Sequence, residues 1–206
     1  MNITLRNIIR RATLATVALL LSFGIAGAQI DLRISKSKIK SSLKRLDQLE
    51  LLAAQLNTAS GSTQAAATPN TAQEATSAAA ASTQAAADQL CQIAKQCIEL
   101  SERISHYINQ VSVLSTLQAS SEQVLQRTLL LTKLDSLSKE LASHKESISS
   151  IGSSVMSTGA SSGTSSGTSS KALKSIGAKI IKIAEKEYLY QAMAVGNMIS
   201  ALGAMK

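Results

Sequence analysis

The chain has 206 residues and carries 21 Lys and Arg against 13 Asp and Glu, which gives a net charge of +8 at pH 7. It contains no Trp, one Phe, three Tyr and one Pro, so any core must be built from aliphatic side chains. Strand-forming sequences are richer in aromatic residues, and this composition argues against a β-sandwich. The expected fold class is therefore all-α, an elongated helical bundle or hairpin of long amphipathic helices joined by low-complexity linkers.

Residues 1–28 have the three parts of a secretory signal peptide. Three arginines precede a mostly apolar stretch from Leu14 to Ile25, and the letters AGAQ at 26–29 match a signal-peptidase site. The apolar stretch is shorter than the roughly 20 residues of a membrane-spanning helix. We therefore expect cleavage after Ala28 and a periplasmic, secreted or cell-surface protein. An uncleaved anchor helix is the alternative.

The segment 29–56 is predicted to hold the first amphipathic helix, from about Lys36 to Leu56. Its large apolar residues recur at steps of three and four, which is the helical period. Residues 57–87 follow as a linker rich in Ala, Ser, Thr and Gln, without large apolar side chains. Pro69 marks a break in this linker, and the Ala-rich stretch 71–87 is expected to form a loosely held helical lead-in.

A long helical hairpin is predicted at 88–156, because two heptad seams occur there. The first seam consists of Leu90, Ile93, Cys97, Leu100, Ile104, Tyr107, Val111 and Leu114. The second consists of Leu130, Leu134, Leu137, Leu141, His144, Ile148, Ile151 and Val155. The seams differ in phase by two residues, and Ser120 and Gln123 between them have the spacing of a capping box. A new helix beginning at Ser120 explains the phase change; one uninterrupted helix with a stutter is the alternative.

Residues 157–170 form a Ser- and Gly-rich linker, and 171–206 are predicted to form a basic amphipathic C-terminal helix. Its lysines fall within an arc of roughly 140°, counted at 100° per residue. They are Lys171, Lys174, Lys179, Lys182 and Lys186. This face is a candidate for binding an anionic membrane surface, and a packed helix with solvated lysines is the alternative.

Farther along the same helix, small residues recur one turn apart at Ala192, Gly196, Ser200 and Ala204. Such spacing permits the close approach of another helix. Gly196 costs about 1 kcal/mol relative to Ala inside a helix, which suggests that a neighbouring backbone comes close there. We expect Ala192, Gly196 and Ser200 to bind a partner, either an envelope protein subunit or a second copy through its helices.

The only cysteines, Cys91 and Cys97, are six residues apart. In one regular helix they would be separated by a rise of about 9 Å, whereas a disulfide needs Cα atoms closer than about 7 Å. In an oxidising compartment a pair of cysteines is usually bonded, so we favour a disulfide that closes the stretch CQIAKQC into a small loop. Free thiols and intermolecular bonds are the alternatives. The spacing is not that of the C-x-x-C redox motif.

Catalytic and metal-binding motifs are not convincing in this sequence. The string G-x-S-x-G occurs around Ser161 and Ser165, but it lies inside a linker and lacks the strand and helix that a nucleophile elbow requires. Zinc needs close-spaced ligand pairs, and only His106 and His144 could add to the cysteines. His144 is interpreted as a polar residue at a helix interface, and a metal ligand or pH switch is the alternative. We expect no enzyme activity, cofactor, metal or nucleic-acid partner.

The sequence resembles the minor pilins of type IV secretion and conjugation systems. The similarity covers the leader, the stretch RISKSKIKSSLKRLDQLELLAAQL and the C-terminal QAMAVGNMISALGAM, where Gln191 to Leu202 follow the pattern Q-A-x-x-x-G-N-x-x-x-A-L. The resemblance implies a helical-bundle subunit at the base or tip of a pilus, contacting the major pilin and sometimes host surfaces. The leading hypothesis is therefore an exported, non-catalytic interaction protein of the bacterial envelope. A membrane-active protein acting through its basic C-terminal helix is the alternative.

Overall fold

A computed structural model describes residues 35–61, 73–115, 117, 120–157 and 167–205. These residues form an all-α four-helix bundle without a strand, which confirms the expected fold class. The helices are α1 (Lys36–Gly61), α2 (Gln73–Leu114), α3 (Ser121–Ser157) and α4 (Gly167–Ala204). The predicted signal peptide at 1–28 and the serines of the two G-x-S-x-G strings, Ser161 and Ser165, lie outside the described residues.

Helices α1 and α4 extend farther into the low-complexity segments than the sequence predicts, whereas the start of α2 agrees with the expected helical lead-in. Residues 57–61 continue α1, and 73–87 form the first four turns of α2. Ala has the highest helix propensity, so this stretch can continue a helix whose later turns are held by packing. Helix α4 likewise begins at Gly167, four residues before the predicted start at Lys171.

The connection between α2 and α3 is held by polar side chains. Ser120 Oγ accepts a hydrogen bond of 3.2 Å from the backbone N–H of Gln123, which is the N-cap contact that the sequence predicts. Gln123 Nε2 donates to the carbonyl oxygens of Leu114 and Leu117, both at 3.2 Å. Gln123 and the backbone N–H of Leu117, at 3.3 Å, therefore share the carbonyl of Leu114, the last residue of α2, and Gln123 also binds the carbonyl of Leu117 in the connection.

The chain divides into two compact units, each built from segments of all four helices. Unit 1 comprises the described residues of Met1–Leu43, Ile98–Ala142 and Tyr188–Lys206. Unit 2 comprises those of Lys44–Cys97 and Ser143–Glu187.

The core of unit 1 is one cluster of aliphatic side chains from all four helices. Both predicted heptad seams contribute to it, and Leu134, Leu137 and Met198 are completely buried. The polar residues buried in this unit are Ser42, Ser101, Ser105 and Gln191. The predicted burial of Leu100 and Ile104 is confirmed, with exposures of 3% and 2%.

Unit 2 has its own buried aliphatic side chains and a close approach between helices. Its buried aliphatic side chains include Leu46, Leu90, Ile148 and Ile180. A Cβ atom added to Gly177 on α4 would lie 3.0 Å from Leu90 Cδ1 and 3.2 Å from Val155 Cγ1. A hydrogen atom in place of a side chain thus lets α4 pack closely against α2 and α3 here.

Candidate functional site

Both cysteines lie in the regular part of α2, both are buried, and neither forms a disulfide. The predicted disulfide between Cys91 and Cys97 is therefore wrong. Helix α2 continues through CQIAKQC rather than beginning after it. The seam residues Leu90 and Ile93 are buried, as expected for a continuous helix face. A continuous helix keeps two side chains six residues apart too distant to bond.

Cys97 belongs to a buried polar cluster in unit 2. Its Sγ lies 3.2 Å from Nε2 of His144 on α3, and His144 Nδ1 lies 3.1 Å from the side-chain oxygen of Gln96. An amide oxygen only accepts, so Nδ1 donates to Gln96, which leaves Nε2 as the ring nitrogen that faces the Cys97 thiol. The predicted role of His144 as a polar residue at a helix interface is confirmed, because the residue is 5% exposed.

An ion pair between a half-buried Arg45 and a buried Glu187 lies in the same unit. Arg45 Nε donates to a carboxylate oxygen of Glu187 at 2.8 Å, and the Glu187 side chain has no exposed surface. Burial first, and the negative charge of Glu187 second, raise the pKa of the Cys97 thiol to about 12. Cys97 is consequently a neutral thiol at physiological pH.

This protonation state decides what the cluster can do. A thiol, an imidazole and a side-chain amide in a row are also the residue types of a Cys–His–Asn catalytic triad. The nucleophile of such a triad is a thiolate that substrate can reach, held by surroundings that lower its pKa. Cys97 has 0% exposure and a raised pKa, so the cluster has the properties of a structural hydrogen-bond network.

Cys91 is also held protonated. Its Sγ donates to the side-chain oxygen of Asn57 at 3.2 Å and lies 3.7 Å from the carbonyl oxygen of Ala53, both on α1. Burial, and then Asp88, raise the pKa of the Cys91 thiol, although Lys95 acts in the opposite direction. Within the described parts of the chain, no group of three or more His, Cys, Asp or Glu side chains could hold a metal ion.

The predicted basic face of α4 lies on the surface of unit 2. Lys171, Lys179, Lys182 and Lys186 are exposed, and Lys174 is half-buried. We call the four exposed residues the lysine face. None of the four forms an ion pair with another described residue.

The small residues of α4 lie at the surface of unit 1. Ala192 is half-buried, and Gly196 and Ser200 are exposed. A Cβ atom at Gly196 would have no atom within 4 Å, and Leu189, two turns earlier, is 66% exposed. The backbone that the sequence predicts beside Gly196 is therefore not supplied by the described part of this chain.

Sequence reasoning missed an apolar surface around the connection of α2 and α3, which we call the turn patch. It consists of Val113 (59% exposed), Leu117 (47%), Val124 (60%), Leu125 (67%) and Leu129 (54%). The available signal was the pair Leu125 and Leu129, which are four residues apart and lie outside the second seam. One helix face cannot bury both this pair and the seam.

None of the described helices has a stretch long and apolar enough to cross a membrane. No protein-family model, no curated protein and no solved structure matches this chain.

Proposed function

We propose that this chain is a non-catalytic subunit that assembles with another protein of the bacterial envelope through the surface of unit 1. The main support is the distribution of exposed apolar side chains. Of the seven large apolar residues exposed in the described chain, six belong to unit 1. Five of them form the turn patch, and the sixth is Leu189 on α4. Clustered apolar exposure of this kind marks interaction surfaces in soluble domains.

The α4 surface of unit 1 supports the same proposal. Gly196 leaves room for a backbone at a position where an ordinary helix would carry a side chain, and Leu189 offers an apolar contact beside it. The sequence resemblance to minor pilins agrees with an assembling subunit, and the predicted leader agrees with export. The buried thiols of unit 2 supply no competing catalytic site.

The alternative, membrane insertion of the basic C-terminal helix, is less well supported. An inserting helix needs an apolar side that is free to enter the lipid. In α4 that side includes Ile180 and Ala184, both with 0% exposure because they pack inside unit 2. Insertion would first require α4 to leave the bundle and to expose the core.

The test is to tag the chain, express it in its source cell and purify it from the envelope fraction. We expect a partner subunit to co-purify in fixed proportion with the wild-type chain. Leu125→Asp combined with Leu129→Asp should reduce recovery of that partner at least tenfold, because association would then bury two unpaired carboxylates. Ser136→Asp combined with Ser138→Asp is the matched control on exposed positions of α3. Equal recovery with both variants would contradict the proposal, as would a full-length chain confined to the cytosol.

A further inference from the structure

The charges of unit 2 are distributed unevenly between α4, which carries the lysine face, and the other helices. The part of α4 within this unit has five lysines against two glutamates. The other segments of the unit together have four basic residues against five acids. One of the two α4 glutamates, Glu187, is buried against Arg45 and does not offset the surface lysines. The positive excess of unit 2 is therefore concentrated on one helix.

The four lysines form a straight row along that helix. At 100° per residue Lys171, Lys179, Lys182 and Lys186 fall within an arc of about 80°, and they span about 22 Å of helix axis. All four are exposed, and none is paired with a carboxylate of another described residue. The opposite side of α4 is fixed in the core through Gly177, Ile180 and Ala184. The row therefore faces solvent, while the opposite side of α4 is packed in the core of unit 2.

The chemistry of the row indicates what it binds. Lysine is a compact, hydrated point charge that suits a diffuse anionic surface, whereas arginine provides the planar fork used in specific recognition. Lysine is depleted from protein–protein interfaces, which rely on aromatic and apolar anchors. No aromatic residue occurs between Lys171 and Lys186, so stacking on nucleic-acid bases is not available.

We propose that the lysine face holds the protein on an anionic phospholipid surface by charge alone, while α4 stays packed in unit 2. This attachment goes beyond the proposed assembly through unit 1 and does not depend on it. It also differs from helix insertion, because no buried apolar side chain has to leave the core. Each lysine close to an anionic leaflet contributes about 1 kcal/mol, so three of them account for about a 100-fold change in partitioning.

The experiment is co-sedimentation of the purified chain with vesicles of phosphatidylcholine alone or mixed with phosphatidylglycerol. We expect the chain to bind the mixed vesicles more strongly and to be released at about 1 M salt, where the Debye length is only about 3 Å. The excess of binding to mixed vesicles over phosphatidylcholine vesicles should fall about 100-fold when Lys179→Gln, Lys182→Gln and Lys186→Gln are combined. Gln and Lys have similar helix propensities, so the variant should keep its helical circular dichroism and melting temperature.

The matched control removes three exposed lysines elsewhere, through Lys95→Gln, Lys133→Gln and Lys145→Gln. It should retain nearly all of the binding to mixed vesicles. Equal loss in both triple variants would overturn the proposal, since net charge rather than the row would then explain binding. Equal binding to both kinds of vesicle would overturn it in favour of insertion. Binding to soluble polyglutamate but not to vesicles would overturn it in favour of an acidic protein partner.

Discussion

The two units place their polar and apolar groups in opposite ways. Unit 1 has an aliphatic core and exposes apolar side chains, whereas unit 2 buries an ion pair and a thiol–imidazole contact and exposes a row of lysines. Aliphatic burial stabilises a fold directly. A buried ion pair is weak evidence of stability, because removing two charges from water offsets most of their attraction. The comparison indicates that unit 1 is stabilised mainly by aliphatic packing and that the polar contacts of unit 2 select one arrangement of helices.

The largest effect should come from breaking the ion pair of unit 2. Glu187→Ala leaves the Arg45 guanidinium without its buried carboxylate, and we expect a loss of about 3–5 kcal/mol in the free energy of unfolding. Urea denaturation measures it, with the exposed neighbour Glu185→Ala as a control that should change stability by less than about 0.5 kcal/mol. The double replacement Arg45→Met with Glu187→Leu should restore most of the stability. A double variant as unstable as Glu187→Ala would show that the pair itself stabilises unit 2.

The core of unit 1 should be nearly as sensitive to a cavity. Leu100 is 3% exposed, and Leu100→Ala should lower the free energy of unfolding by about 2–5 kcal/mol because the packed helices relax only partly. Leu129, which is 54% exposed, provides the control, since Leu129→Ala removes the same atoms from the surface. An unchanged melting curve for Leu100→Ala would mean that the seam is not the core of this unit.

Two glycines of α4 provide a matched pair, one from each unit. Gly177→Leu must push against Leu90 and Val155, and we expect destabilisation by about 1–3 kcal/mol. Gly196→Leu meets no atom within 4 Å and improves helix propensity, so it should stabilise the isolated protein by up to about 1 kcal/mol. Thermal denaturation should move the two melting temperatures in opposite directions.

The same Gly196→Leu variant tests association. It should lose the envelope partner despite its greater stability, whereas Ser136→Leu, at an exposed position of α3, should keep it. A Gly196→Leu chain that retains every envelope interaction would show that the small-residue stripe has no binding role.

The last effect concerns the Cys97 thiol, which should not change stability at neutral pH and should do so only in alkali. Its pKa is raised from 9.0 in the unfolded reference to about 12 in the fold, so the folded state keeps its proton longer. The resulting stabilisation is complete below pH 9.0 and is lost as pH rises towards 12, at a limiting slope of about 1.4 kcal/mol per pH unit. The raised pKa of Cys91 acts in the same direction. Urea denaturation across this pH range should show that the free energy of unfolding falls less steeply with pH for Cys97→Ala than for the wild type. An identical slope would contradict the raised pKa of Cys97.

Hydrophobic spacing predicted the architecture but not the polar contacts. The two seams, including His144, are read directly from steps of three and four, because a helix face must be apolar to be buried. The expected disulfide is wrong because Leu90 and Ile93 extend the apolar seam through Cys91. Such a seam indicates a continuous helix, in which Cys91 and Cys97 are too far apart to bond in any compartment. The Arg45–Glu187 pair joins residues 142 positions apart, and its existence depends on how α1 is aligned with α4. Periodicity within one helix contains no information on that alignment.

The side chain of Gln123 also bears on how the protein folds. It closes the connection between α2 and α3 through contacts to carbonyls six and nine residues away, which require only a short loop to form. Short loops close at little entropic cost. Once the connection between α2 and α3 has formed, pairs farther along the two helices are already close in space. The 2.6 Å Arg103–Glu140 pair can then form without closing a loop over the 37 positions that separate the two residues. This connection therefore allows the contacts between α2 and α3 in unit 1 to form locally, at a lower cost in loop-closure entropy than contacts between distant parts of the chain.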